Sequence, residues 1–302
     1  MLALALILDA LVGDPDRLWS RTGHPVVWIG RLIDRLDGAW NSGPNRHAKG
    51  VVALLVILAV SLVLPLVIIQ WKFGWVFEIV LGAVFLAHRS LIDHVSAVAD
   101  GLGRGLAEGR QAVSRIVGRD PERLNEAGVS RAAIESAAEN FSDGVVAPAF
   151  WFAVAGLPGI VAYKAVNTAD SMIGHRTERH KEFRWASARL DDVLNWIPAR
   201  LTGLLFCLAG QGAAAFRVMC RDAGQHRSPN AGWPEAAMAA SLGVALAGPR
   251  DYGSYRVDDP YMNTEGTPDA GPEHIHGAIS LLWRAWAILL VCAGGGSLLT
   301  LI

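Results

Sequence analysis

The segment RAAIESAAENFSDG carries a line of ionisable side chains directly in front of an apolar run. On a helix, Arg131, Glu135 and Glu139 lie four residues apart and share one face. Asn140 and Asp143 follow before the chain becomes apolar. Taken alone, this pattern is typical of a solvated helix face whose Arg–Glu pair contributes a few tenths of a kcal/mol. Carboxylates at this position also suit cation binding or proton transfer.

A second polar cluster lies in YKAVNTADSMIGH, which also follows an apolar run. Lys164, Asn167 and Ser171 are spaced three and four residues apart, and Asp170 lies beside them. On a helix, a lysine, an amide, a hydroxyl and a carboxylate therefore crowd one side. The simpler interpretation is that Asp170 only caps the helix or pairs with Lys164.

The third cluster, ARLDDVLNWIPAR, repeats the pattern in front of another apolar stretch. Asp191 and Asp192 lie four and three residues before Asn195, so a helix brings both carboxylates near the amide. Arg189 and Arg200 flank them. A purely structural pairing of Asp191 with either arginine is the alternative.

Three such clusters between positions 131 and 200 are better explained by one convergent site than by interfacial decoration. Ionisable groups at membrane depth are costly and usually line a cavity or a ligand path. Carboxylate and amide oxygens suit Mg²⁺, which also prefers phosphate oxygens and water. The cations that would contact phosphate oxygens are Arg131, Lys164, Arg189 and Arg200. We therefore expect a site for phosphorylated or polyanionic substrates at the cytoplasmic membrane face.

The composition favours an integral membrane protein. Of 302 residues, 52% are hydrophobic and 18% are charged, with a mean hydropathy of +0.31, whereas soluble domains typically have about 25% charged residues. The net charge of -1, with basic and acidic residues interspersed, argues against nucleic acid as a partner. The three cysteines lie in unrelated contexts and suggest neither disulfides nor a thiolate metal site.

Several apolar stretches predict membrane helices. Residues 51–71 are long enough to cross the hydrocarbon, which takes about 20 residues, and 75–87 would return the chain. Residues 281–302 form another candidate, with two tryptophans placed for an interfacial belt. The first thirteen residues lack the features of a removable signal peptide and are expected to stay as a short or tilted helix. Arginines on both sides of the hairpin predict cytoplasmic flanks.

The apolar run 145–166 is interrupted by Gly156-Leu157-Pro158-Gly159, which is strong turn chemistry. A break there leaves arms of about 18 Å each, too short to span alone, so a re-entrant hairpin fits. A straight helix remains the alternative. The predicted fold is all-α, a polytopic membrane protein in which residues 145–172 form this half-helix hairpin or one span. We expect one domain, 1–302, with roughly 88–142 and 249–280 outside the membrane.

His24 stands directly before a proline in TGHPVVWIG. Its imidazole suits contact with a substrate phosphate or with the edge of a large ring system. A turn histidine hydrogen-bonded to backbone explains the same pattern. The sequence leaves both interpretations open.

Five segments together resemble the CobD/CbiB family of cobalamin biosynthesis. They are RAAIESAAENFSDGVVAPAFWF, LPGIVAYKAVNTADSMIGH, ARLDDVLNWIPARLT, DALVGDPDRLWSRTGHPVVWIGRLID and SPNAGWPEAAMAASLGVALAGP, and they cover nearly the whole chain. The resemblance implies an adenosylcobinamide-phosphate synthase, which joins the free carboxylate of adenosylcobyric acid to the amine of aminopropanol phosphate or a related amino alcohol. It also implies an ATP-consuming carbon–nitrogen ligase. ATP rests on the resemblance alone, because the sequence contains no P-loop and no kinase motif.

The chemistry of that reaction assigns roles to the polar residues as a hypothesis. The candidates for Mg²⁺ coordination are Asp143, Asp170, Asp191 and Asp192. Their expected amide partners are Asn140, Asn167 and Asn195. Glu135 or Glu139 would take the proton of the attacking amine. Lys164 and Arg200 would orient the amino-alcohol phosphate. The remaining substrate-binding candidates are His24, Arg131, Ser171 and Arg189.

Two other classes of membrane protein also fit parts of the sequence. A prenyltransferase-like enzyme uses Asn and Asp around Mg²⁺-diphosphate, and the NTAD segment at 167–170 faintly resembles its motif. A small-solute transporter would also contain broken helices, although no internal repeat is visible. For the family interpretation, the expected partners are the two substrates, the lipid bilayer and other cobalamin-assembly enzymes. The expected location is the inner membrane, multi-pass, with the site facing the cytoplasm.

Overall fold

The computed structural model describes residues 1–118, 121–173, 182–251 and 256–299. Helices dominate the described chain. In chain order they are α1 (Leu2–Val12), α2 (Asp16–Thr22), α3 (Pro25–Trp40), α4 (Arg46–Ile68), α5 (Gly74–Phe85), α6 (His88–Arg104), α7 (Leu106–Val113), α8 (Glu126–Phe141), α9 (Ala147–Ile173), α10 (Trp185–Leu194), α11 (Trp196–Ala209), α12 (Ala213–Asp222), α13 (Gly232–Leu242) and α14 (Pro272–Leu299).

Four helical segments within the described residues are long and apolar enough to cross a membrane. They are Arg46–Ile68, Gly74–Arg104, Glu126–Met172 and Pro272–Gly295. The apolar helices α1 and α11 are shorter. These segments confirm the predicted all-α polytopic membrane protein.

One small antiparallel sheet, formed by β1 (Leu246–Asp251) and β2 (Arg256–Met262), was not expected from the sequence. The sequence there is rich in Pro, Gly and Asp and is typical of a loop. The pairing accommodates it through a bulge between Ala247 and Pro249. One residue of β1 faces two residues of β2 at this point, so the extra residue lies on β2. Ala247 and Gly248 of β1 adopt positive φ there.

The chain folds into two compact units. Unit 1 consists of Met1–Ala87, Ala147–Asn195 and Gly296–Ile302, and unit 2 of His88–Val146 and Trp196–Gly295. The expectation of one membrane domain with two extramembrane regions stays a prediction.

In unit 1, the polar helix α10 is held against α4 and α9 by an apolar cluster. Leu54, Val166 and Ala186 are its buried members, one from each helix. Close approach elsewhere relies on small residues, since a Cβ atom on Gly82 of α5 would lie 2.9 Å from the ring of Phe152 on α9. Beside the apolar cluster, the side chain of Asn167 on α9 faces Asp191 on α10.

Helix α9 is sharply broken where the sequence predicts turn chemistry. Ala155 (φ -139°, ψ 21°) and Gly156 (φ 60°, ψ -150°) leave the helical conformation. The carbonyl oxygen of Trp151 occupies the place where a Cβ atom on Gly159 would sit, although eight residues of straight helix would separate them by about 12 Å. The chain therefore folds back on itself at this point, and the straight-helix alternative is wrong.

We expect Gly156→Ala to lower the free energy of unfolding by about 1–3 kcal/mol, because its backbone conformation is nearly exclusive to glycine. A clash is not the cause, since the nearest atom to an added Cβ is Oε2 of Glu78 at 3.6 Å. The control is Gly38→Ala in α3, where nothing lies within 4 Å and alanine favours the helix. Thermal unfolding in detergent measures both variants. A Gly156→Ala protein as stable as the Gly38→Ala protein would contradict the assigned break.

In unit 2, α8 lies at the centre and packs on α6, α7 and α13. Most of its buried residues are small, including Ala132, Ala133, Ala137 and Ala138, so neighbouring helices approach closely. A π-helical turn, Ser142–Val146, follows α8 directly. Such turns interrupt the regular hydrogen-bond ladder and occur frequently at functional sites.

Candidate functional site

The best-defined polar cluster of unit 1 centres on Asp191 of α10. Its Oδ1 accepts a hydrogen bond from the Asn167 amide of α9 at 3.3 Å. Its Oδ2 accepts one from the Asn195 amide at 3.0 Å. The structure thus brings together an aspartate and the two asparagines that the sequence proposed as its partners. The contact with Asn195 follows from helical spacing, whereas the contact with Asn167 depends on how α9 packs on α10.

Two further aspartates, Asp170 and Asp192, add negative charge to this cluster. Burial, followed by the neighbouring charge of Asp170, raises the pKa of Asp191 to about 6. Burial also raises the pKa of Asp192, although Arg189 acts in the opposite direction. The three carboxylates therefore form a region of concentrated negative charge that a cation would stabilise.

Arg184 is a member of this cluster that the sequence analysis missed. Its Nη2 lies 3.2 Å from Oδ1 of Asp170, and both side chains are half-buried. No helical spacing connects the two positions, so only the folded chain shows the pair. Arg189, by contrast, is mostly exposed and lies 3.7 Å from Asp192.

Lys164 and Ser171 lie on the second arm of α9, at opposite ends of its polar face. Lys164 is half-buried and lies near His24, where burial lowers the pKa of the imidazole and the charge of Lys164 adds a smaller effect in the same direction. Ser171 is exposed near the end of the helix. The polar face predicted from their spacing is therefore present, with Asn167 and Asp170 between them.

His24 has the contacts of a helix-capping residue. Its Nδ1 accepts the backbone N–H of Val26 at 3.2 Å, and its Nε2 donates to the carbonyl of Val84 at 3.1 Å. Asp14 lies 3.6 Å from Nε2. Burial lowers the pKa of His24 despite this carboxylate, so the neutral form is favoured. These contacts favour the turn interpretation, while a direct contact with substrate stays a prediction.

In unit 2, the two glutamates that the sequence placed on one helix face differ in their exposure. Glu135 is buried, and its Oε1 accepts the backbone N–H of Ala247 at 2.9 Å. Glu139, one turn later, is exposed. Arg131 on the same face donates to the carbonyl of Pro268. Of the two glutamates, Glu139 is the one whose carboxylate is exposed and could take part in proton transfer.

The end of this face is polar and irregular. The side chain of Asn140 donates to the carbonyl and to the hydroxyl of Ser136, at 2.8 and 2.9 Å. Asp143 is half-buried within the π-helical turn. The sequence indicated neither the turn nor the local hydrogen bonds.

Arg200 is held between two indole rings at the start of α11. Its guanidinium carbon lies 4.2 Å from the ring centre of Trp196 and 4.5 Å from that of Trp233. Its Nη1 donates to the carbonyl of Trp196 at 2.7 Å and lies 3.4 Å from Oδ1 of Asn230. The stacking fixes the plane of the guanidinium, which is the arrangement that suits recognition of phosphate or carboxylate.

The predicted residues thus fall into two sets. Unit 1 contains His24, Lys164, Asn167, Asp170, Ser171, Arg189, Asp191, Asp192 and Asn195, and unit 2 contains Arg131, Glu135, Glu139, Asn140, Asp143 and Arg200. The expectation that both sets serve one reaction stays a prediction.

The oxygen ligands of the Asp191 cluster fit Mg²⁺ only if a substrate phosphate supplies further ligands. Across the described residues, no group of three or more His, Cys, Asp and Glu side chains is arranged to hold a metal ion. Mg²⁺ usually keeps several waters and binds one or two carboxylates together with substrate phosphates. Neighbouring carboxylates at Asp170 and Asp191, with amides beside them, match that mode of binding and not an all-protein cage.

Comparisons with known proteins agree on one family. A family model described as CobD/Cbib protein matches residues 2–282. The cobalamin biosynthesis protein CobD of Rhizobium meliloti (strain 1021) is 53% identical over 306 residues, which cover 96% of this chain and 94% of that protein. Its counterpart in Rhodobacter capsulatus is 52% identical over 302 residues, covering 97% and 96%. The counterpart in Brucella anthropi is 50% identical over 323 residues, covering 100% and 98%. No solved structure matches. The chain therefore belongs to the CobD/CbiB family, a family of cobalamin biosynthesis proteins.

Proposed function

We propose that this chain is an adenosylcobinamide-phosphate synthase. It joins the free carboxylate of adenosylcobyric acid to the amine of aminopropanol phosphate, or of a related amino alcohol, with consumption of ATP. The reaction takes place at the cytoplasmic face of the inner membrane. Family membership supports the pathway, and the observation that carries the chemistry is the Asp191 cluster, in which half-buried carboxylates, two amides and a cation lie together.

In this proposal, the Asp191 cluster holds the phosphate groups of the reaction. Asp170 and Asp191 would hold Mg²⁺ together with oxygens of the substrate phosphate. When bound, Mg²⁺ neutralises negative charge on the phosphoryl oxygens. Lys164 and Arg184 supply fixed positive charge on the same arm of α9 and beside Asp170.

The amide bond requires an activated carboxylate and a neutral amine. Phosphoryl transfer converts the corrinoid carboxylate to an acyl phosphate, because a free carboxylate is a poor acyl donor. The amine nitrogen then bonds to the acyl carbon, phosphate leaves, and the amine proton passes to a general base. Glu139 is our candidate for that base, because its side chain is exposed, whereas Glu135 is buried and accepts the backbone N–H of Ala247.

Arg200 is the candidate for the phosphate of the amino alcohol. We expect Arg200→Lys to raise the KM for the amino-alcohol phosphate about 10-fold, because lysine cannot make the planar, stacked and bidentate contact. The KM for adenosylcobyric acid should change little. The control is Arg217→Lys, an exposed arginine on α12. An equal KM increase for both substrates would indicate a structural role instead.

The activity itself is tested with purified protein in detergent or nanodiscs. Adenosylcobyric acid and the amino alcohol, with and without its phosphate, are incubated with ATP and Mg²⁺, each omitted in turn, and products are identified by mass spectrometry. We expect adenosylcobinamide phosphate together with ADP and inorganic phosphate. Absence of any covalent product, as a transporter would give, overturns the proposal. Product formed without nucleotide removes ATP from it.

A further inference from the structure

Tyr163 is a buried residue beside the Asp191 cluster that the spacing of charged residues did not indicate. It lies on the second arm of α9 and is 1% exposed. Its hydroxyl donates a hydrogen bond to Oδ1 of Asn195 at 2.9 Å. Most of its neighbours on this arm are apolar, so the sequence pattern alone is typical of an ordinary core position.

The hydroxyl of Tyr163 holds the oxygen end of the Asn195 amide. A carboxamide has one accepting and one donating end. The carboxylate of Asp191 only accepts, so Nδ2 of Asn195 faces its Oδ2 at 3.0 Å, and Oδ1 of Asn195 accepts the hydrogen bond from Tyr163. Asn195 is 2% exposed, so bulk water does not replace either partner. The order Tyr163, Asn195, Asp191 is therefore a directed hydrogen-bond chain.

A second contact holds the same end of α10 without touching Asn195. The indole N–H of Trp151, on the first arm of α9, donates to the carbonyl of Leu194 at 3.1 Å. This carbonyl is one of the last in α10, where helical partners are absent. The two arms of the broken helix thus bind neighbouring residues. Only the contact from Tyr163 leads on to the carboxylate.

We propose that Tyr163 is a positioning residue that fixes the Asn195 amide and, through it, orients the Asp191 carboxylate toward a divalent cation and its phosphate. This inference rests on the proposed function only in assigning such a ligand to Asp191. Partners that orient a metal-binding side chain typically change metal affinity about 10- to 100-fold when removed. The role of Tyr163 is therefore measurable without turnover.

The test compares Tyr163→Phe with Trp151→Phe. Each variant keeps an aromatic ring and removes one hydrogen bond to the end of α10. Trp151→Phe also removes ring volume, so it should lose at least as much stability as Tyr163→Phe. The probe is Mn²⁺ with inorganic phosphate, followed by electron paramagnetic resonance of the purified protein in detergent. We expect about 10-fold weaker Mn²⁺ binding in Tyr163→Phe and unchanged binding in Trp151→Phe.

Whether Tyr163 acts through Asn195 is tested with Asn195→Ala and with the double variant Tyr163→Phe/Asn195→Ala. If Tyr163 acts through Asn195, the double variant should bind Mn²⁺ no more weakly than Asn195→Ala, because the two effects are not independent. Fully additive losses would overturn the inference. So would wild-type affinity in folded Tyr163→Phe, an equal loss in Trp151→Phe, or wild-type protein that does not bind Mn²⁺.

These outcomes are separate from those of the proposed function. Weakened Mn²⁺ binding in Tyr163→Phe, together with wild-type protein that forms no amide product, supports the inference and overturns the ligase proposal. In an active enzyme, Tyr163→Phe should raise the Mg²⁺ concentration that gives half-maximal rate by the same factor. A lower kcat with an unchanged Mg²⁺ requirement would indicate a merely structural role and overturn the inference.

Discussion

Asp191→Ala is expected to lower kcat/KM for amide formation by at least about 100-fold, because metal-assisted stabilisation of phosphoryl charge is worth several kcal/mol and 1.36 kcal/mol is tenfold in rate. Asp191 is the member of the acidic cluster that accepts hydrogen bonds from two different asparagines. Its removal therefore takes away a charge and releases both amides. The initial rate of product formation, measured over a range of Mg²⁺ concentrations, gives the size of the loss.

The matched control is Asp34→Asn, an exposed aspartate on α3 in the same unit. It should retain the wild-type rate and Mg²⁺ requirement. Thermal unfolding distinguishes loss of chemistry from loss of fold, since the amides released by Asp191→Ala lie at the contact between α9 and α10. A folded Asp191→Ala protein with at least a tenth of the wild-type rate would contradict the assignment of Asp191 to the reaction.

The sequence predicted those parts of unit 1 that depend on local chemistry. The break in α9 follows from a glycine that adopts φ 60° and from a proline two residues later. The contact of Asp191 with Asn195 follows from helical spacing. Both features are determined by neighbouring residues, so single-sequence reasoning finds them.

Contacts between residues that are distant in the sequence could not be predicted from local patterns. Arg184 reaches Asp170 across 14 positions, and Tyr163 reaches Asn195 across 32. Neither pair shares a helix face, so their meeting depends on how α9 and α10 pack. The π-helical turn at Ser142–Val146 is likewise invisible to a pattern based on regular helical spacing. Periodicity therefore predicts which side chains share a helix face, but not which of them form tertiary contacts.

The face of α8 illustrates this limit most directly. Spacing makes Glu135 and Glu139 equivalent, whereas strand β1 places the N–H of Ala247 against Glu135. A buried N–H without a partner costs about 1–3 kcal/mol. Glu135 is thus tied to the strand by a structural requirement, and the exposed Glu139 becomes the better candidate for proton transfer.

We therefore expect Glu139→Gln to reduce kcat by about 10²- to 10⁴-fold, the usual contribution of a positioned general base, with little change in thermal stability. Glutamine at position 135 keeps an oxygen that accepts the N–H of Ala247, so Glu135→Gln should retain most activity and stability. Glu135→Ala, which removes the acceptor, should unfold more easily by about 1–3 kcal/mol.

The exposed Glu126 at the start of α8 supplies the control, since Glu126→Gln removes an equal charge from the same helix. Rates are compared with saturating substrates and at several pH values, because a variant without its base should lose the pH dependence that the base imposes. If Glu135→Gln were inactive and Glu139→Gln active, both with normal melting, the base would be Glu135. The hydrogen bond to Ala247 would then orient the catalytic carboxylate and would not exclude it from the reaction.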